Sequence, residues 1–239
     1  MTAFPRSHLA ATGQSRPRPL PEIREDPSIT GALDAQNAYP ERVNAIRGDV
    51  MLSDLAKAEQ IVAAHEALCA ELARLRDDLY ERRRARLNWL ASRVPVGPEP
   101  DEDASAADRA VLATAFRTAL AQARSVGLEE RCRMLADALK YGDDMQMRGV
   151  LAAAEDDGQR SVLDEWAKAT QNEELVAELR ALRADIAGGA TVAGGWERRA
   201  FWQPPAPAEE RALIGLRRAA DDATRDHARA QAHGMHGAA

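Results

Sequence analysis

Cysteine is almost missing from this 239-residue chain: Cys69 and Cys132 are its only two, and neither has a CxxC partner. That excludes a disulfide framework and a cysteine zinc site, and both thiols read as small buried hydrophobes. Aromatic residues number ten, and Leu, Ile, Val and Phe together 43, below the share usual in well-cored chains. Alanine fills the gap with 50 positions. A chain rich in Ala, Leu, Arg and Glu forms helices with thin cores, so the expected fold class is all-α. No run approaches the roughly 20 apolar residues that span a bilayer. Met1 to Gln14 also lacks the apolar core of a secretory signal, so the expected location is a virion or the cytoplasm, with no membrane partner. The formal net charge is −6, which argues against nucleic acid as a partner, since phosphate contacts need clustered Lys and Arg.

Motifs that carry chemistry are missing as well. There is no HExxH, GxSxG or GxGxxG, and the nearest approach to a phosphate loop, Gly189 to Trp196, lacks Lys and Ser or Thr where the chemistry resides. Carboxylate pairs at Asp143-Asp144, Asp156-Asp157 and Glu173-Glu174 lie at expected helix starts or turns, where they complement the helix dipole. His227, His233 and His236 gather near the C-terminus, where nothing fixes their geometry. The expectation is therefore no enzyme, no catalytic or metal-ligating residue and no cofactor.

What is present is organised in five stretches. Residues 1–52 carry Pro5, Pro17, Pro19, Pro21, Pro27 and Pro40 and read as an extended arm, whose polyproline-like run from Arg16 to Pro21 is either a segment that docks on a partner or a disordered tail. Residues 53–93 read as one long amphipathic helix capped by Ser53, free of Pro and Gly from Asp54 to Arg93. Within it Ala58, Ile61, His65, Leu68, Leu72, Leu75 and Leu79 recur at steps of three and four, the spacing of a coiled-coil seam. His65 there reads as a satisfied core polar residue. Arg82, Arg83, Arg84 and Arg86 follow and read as a solvated or acidic-partner-facing face, with Asp77, Asp78 and Glu81 within pairing distance along the helix.

Residues 94–104, with three prolines and four carboxylates, read as an acidic linker and domain boundary. Residues 105–187 then read as a bundle of five short helices punctuated by Gly127, Gly142 and Gly158. Its expected core is Phe116, Leu120, Leu135, Leu139, Leu151, Leu163, Trp166, Leu175 and Leu179. In residues 188–239, Gly188, Gly189, Gly194 and Gly195 introduce a flexible segment holding Trp196, Phe201 and Trp202 beside Pro204, Pro205 and Pro207, before a last helix from Ala208.

From Ala138 to Leu182 the chain resembles a helical module of proteins encoded among the virion structure and assembly genes of tailed bacteriophages from high-GC bacteria. The shared features are Gly142-Asp143-Asp144 at a helix start, Val150-Leu151-Ala152, and Val162 to Ala167 ahead of a leucine-bearing helix. The resemblance implies a structural or assembly role and carries over no functional residue. The expected function is a non-enzymatic structural or assembly protein; the alternative is a cytoplasmic coiled-coil adaptor acting as a small homo-oligomer. Expected partners are other structural subunits or a second copy. The expected partner-binding residues are Leu68, Leu72, Leu75 and Leu79 on the seam, and Trp196, Phe201 and Trp202 in the docking segment; the alternative for the three aromatics is that they fold back onto the protein's own bundle.

Overall fold

The computed structural model describes residues 16–101, 103–188 and 191–236, with side chains as far as Ala230. Among them lie nine α-helices and no strand: α1 (Pro27–Gly48), α2 (Asp54–Ala91), α3 (Ala106–Arg124), α4 (Leu128–Tyr141), α5 (Asp144–Asp156), α6 (Arg160–Thr170), α7 (Glu173–Ile186), α8 (Val192–Ala200) and α9 (Ala208–His236). The chain forms two compact units. One takes in the described residues of Met1–Pro19 and Arg83–Gly189; the other those of Leu20–Arg82 and Ala190–Ala239. The division falls inside α2, between Arg82 and Arg83, and not in the stretch 94–104. That stretch is held within its own unit by Arg148 on α5, which donates to Gly97 O at 2.8 Å and pairs with Glu99 at 3.1 Å.

The extended arm is corrected over Pro27–Gly48, which is helical; residues 1–15 lie outside the described residues. The Asp26 side chain accepts from Ser28 N at 2.8 Å, and Pro27 occupies the first helical position, where its missing N–H costs nothing. Pro40 does interrupt the interior hydrogen bonding, a cost of about 3 kcal/mol. Burial of Ile29 and Ala32 before it and Val43 after it offsets that cost.

α1, α2 and α8 supply the core of the second unit: Ile29, Ala32, Leu68, Leu72, Leu75, Leu79 and Ala200. Gly194 and Gly195, expected in a flexible segment, lie inside α8, whose cap Thr191 accepts from Gly194 N at 3.0 Å; Gly189 is outside the described residues.

In the first unit, five helices from Ala106 to Ile186 follow one another through short turns. Ser105 accepts from Asp108 N at 3.1 Å and donates to Asp108 Oδ2 at 2.7 Å, opening α3. Gly142 closes α4 at φ 73°, a left-handed position that favours glycine. α5 is the most buried helix, from Arg148 to Ala154. Of the expected core, Leu135, Leu151, Leu163, Trp166 and Leu179 are buried, while Phe116, Leu120, Leu139 and Leu175 are half-buried. Ala119, Ala123, Ala138, Ala153 and Ala167 take their places beside Val150, Val162 and Val176. Small side chains let the helices approach closely, so alanine is the principal core residue here.

Candidate functional site

The leucine seam is not a free surface. Leu68, Leu72, Leu75 and Leu79 are all buried in the chain's own core, where α1 and Ala200 cover them. A heptad spacing fixes which side of a helix is buried, not what buries it, and here the same chain supplies the cover. His65, on the same helix, is half-buried with Nε2 3.1 Å from Pro204 O and 3.7 Å from Cys69 Sγ. With its proton on Nε2 the ring donates to the Pro204 carbonyl, which leaves that nitrogen no lone pair to take a proton from the thiol.

The aromatic segment is likewise folded back. Trp196 and Phe201 are half-buried against the same core, and Arg24 and Arg199 place their guanidinium groups 5.6 Å and 5.8 Å from the Trp196 ring centre. Gln36 Nε2 on α1 donates to Ala200 O at 3.0 Å and to Trp202 O at 2.7 Å, which fixes the backbone of the segment. Trp202 alone keeps most of its surface, at 59% exposure. Two of the three expected anchors are therefore internal packing residues.

In the arginine cluster Arg84 is exposed, while Arg82 and Arg86 face carboxylates of their own chain. Arg83 and Arg86 are buried; Arg86 forks onto Glu178 with bonds of 2.7 Å and 2.6 Å, and Arg82 donates to Asp26 at 2.7 Å and Ser28 Oγ at 3.0 Å. Asp78 is taken instead by Arg74, at 2.8 Å. Buried guanidinium groups need such partners, and these come from distant parts of the sequence that spacing along one helix cannot show.

Little reactive chemistry is assembled. No group of three His, Cys, Asp or Glu side chains suited to a metal occurs among the described residues. His227 is exposed, and the His233 and His236 side chains lie outside the described ones. Cys69 and Cys132 are half-buried and free; burial, with Glu165 beside it, pushes the Cys132 thiol above its usual range, so it stays protonated at neutral pH. A groove of about 630 Å³ between α3 and α5 is lined by Ala110, Val111, Thr114, Thr118 and Met145, with Asp143 at its edge. Its lining offers no acid–base pair.

Helix α9 carries a long uncovered surface. Its first half is tied down: Arg47 pairs with Glu209 at 2.8 Å, Arg217 with Glu59 at 3.1 Å, and Leu213, Leu216 and Ala220 are half-buried. A hydrogen bond from its own backbone N–H, reinforced by Arg47, holds the Glu209 carboxyl below its ordinary value. From Asp221 to Ala230 every residue is exposed, although the helix continues. The three- and four-residue spacing of Leu213, Leu216 and Ala220 runs on through Ala223, His227 and Ala230. Ion pairs along the helix, Arg225 with Asp222 at 3.2 Å and Arg229 with Asp226 at 3.4 Å, flank that stripe. From the sequence, Leu213, Ile214, Leu216 and Ala220 form the apolar side of this helix, yet Ile214 is 65% exposed. The missed signal is that large apolar residues stop at Leu216 while Pro is absent and Gly does not recur until Gly234.

The regular structure of the described residues is thus all helical, and no helix among them is long and apolar enough to cross a membrane. It matches no family model, no curated protein and no solved structure.

Proposed function

We propose that the protein is a non-enzymatic structural or assembly component, and that the outer half of α9 is the element that engages neighbouring subunits. The observation that carries this reading is the exposure of every residue from Asp221 to Ala230 on a continuous helix. Most helical stability in proteins comes from packing rather than propensity, so a stretch of helix with no packed side is suited to a surface supplied from outside. Its stripe of Ala223, His227 and Ala230 is narrow, which suits close approach to another helix. The resemblance of Ala138 to Leu182 to virion structure and assembly proteins agrees with this role. The alternative, a coiled-coil adaptor, would need the seam that the chain's own α1 covers.

Deleting Asp221 to Ala239 tests the reading. The shortened protein should keep the melting temperature of the full chain, because Asp221 to Ala230 are unburied, and should disappear from the large particles that sediment from native extracts. Retention in those particles would remove α9 as the contact. A fall in melting temperature of several degrees would mean that the helix packs on its own chain.

A further inference from the structure

Around Trp89, near the C-terminal end of α2, three guanidinium groups converge: Arg86 at 4.6 Å from the ring centre, Arg93 at 5.1 Å and Arg16 at 5.2 Å. Among the described residues, Arg86 is the one of the three with a carboxylate partner. Arg86 is forked onto Glu178 and also donates to Pro17 O at 3.0 Å. Arg16 and Arg93 have no carboxylate partner among the described residues. Two hydrogen-bond donors in the same cluster, Trp89 Nε1 and Arg93 Nε, are buried without an acceptor. An unmet buried donor costs about 1–3 kcal/mol, and two beside unneutralised cations mark a place where an acceptor belongs.

We infer that this cluster is a binding site for a phosphate group. Every free function in it is a donor or a cation, so the missing partner is an anion with several acceptor oxygens. Two unmatched guanidinium groups correspond to a dianion, which phosphate is near neutral pH and a single carboxylate is not. The ring already carries three guanidinium groups within 5.2 Å, which leaves a charged oxygen group, and not a stacked base, as the occupant. Arg16 is exposed and meets an ion from solvent first; Arg93, half-buried, holds it through its fork. This site uses none of the residues of α9 and stands or falls apart from the assembly role.

The test is titration of the full-length protein with inorganic phosphate at fixed ionic strength, observed at the Trp89 indole N–H by ¹H–¹⁵N NMR, with Trp89→Phe to assign the resonance. Saturable movement of that resonance is expected. Arg93→Lys, which keeps the charge and loses the Nε donor, should weaken binding about tenfold, the usual scale of one charge-assisted hydrogen bond. Arg16→Gln, an exposed change that leaves the fold intact, should weaken it severalfold. Adenosine monophosphate in a second arm separates a site for free phosphate, where the ester binds more weakly, from one for phosphate esters, where it binds as well or better. Succinate in a third arm should not saturate. A Trp89 resonance unmoved by phosphate overturns the inference, as does saturable binding of succinate alone or unchanged phosphate affinity in the Arg16→Gln, Arg93→Lys double variant.

Discussion

Gly149 shows how little room the first unit leaves for a side chain. A Cβ built at this position would sit 2.7 Å from the carbonyl carbon and Cβ of Ala119 and from the backbone N of Leu120, so α3 and α5 meet backbone to backbone there. Backbone cannot rotate out of the way as a side-chain tip can. Gly149→Ala should therefore force the helices apart and cost about 1–3 kcal/mol, the usual range for overpacking. Gly31 on α1 is the control: its added Cβ would make ordinary contact with Leu75 Cδ1 at 3.6 Å. Gly31→Ala should stabilise by about 0.5–1 kcal/mol, because glycine inside a helix carries an entropic penalty that alanine lacks. Chemical denaturation of the two variants separates them by sign, and equal effects would mean that the α3–α5 contact yields freely. Neither glycine announces its role in the sequence, because each is one small residue in an Ala-rich helix.

For helix α2, the buried seam predicts lost stability where an oligomer interface would predict lost mass. Leu72 is fully buried beneath α1, so Leu72→Ala should cost about 2–5 kcal/mol. Its mass by light scattering should stay that of the native protein. A changed mass at unchanged stability would restore the seam as an interface. The periodicity from Ala58 to Leu79 marked the buried side of α2 without distinguishing a partner chain from the same chain. What hid the cover was proline: six of them before residue 41 spoke against helix, yet Pro27 stands at the one helical position that tolerates it. Glycine misled in the same manner at α8, where Gly194 is buried inside the helix. The five helices from Ala106 to Ile186 were legible because caps and turns there are local features, whereas the Gln36 clamp on Ala200 and the Arg86 fork on Glu178 join residues far apart in sequence. At the start of α9, Glu209 has a pKa below its ordinary value of 4.5. A carboxyl depressed by folding contributes stability that is full above its unfolded pKa and is lost as the pH falls through the folded one. Glu209→Gln should flatten the acid side of the stability curve below about pH 4.5 and lower stability at neutral pH. An unchanged acid slope would show that Arg47 and the backbone N–H do not hold the charge.

On the scale of the whole molecule, the division inside α2 sets where the chain can be cut. Residues 83–189 keep the last turns of α2 with the helices of their own unit, whereas a fragment starting at residue 100 loses Leu90 and Val94, both buried, and strands Glu178 without Arg86. Fully burying one leucine is worth about 1.5–3 kcal/mol. The shorter fragment also exchanges a charge-assisted pair for a lone carboxylate and frees Arg148 from Gly97 and Glu99. In a domain of this size 1 kcal/mol shifts the melting temperature by about 4–8 °C, so the two fragments should differ by roughly ten degrees or more. Calorimetry on 83–189 and 100–190 under the same conditions decides the matter: cooperative melting of the longer fragment with a depressed or absent transition in the shorter one is the expected result. Equal transitions would place the stabilising contacts entirely within α3 to α7 and make residues 83–99 an accessory to the core.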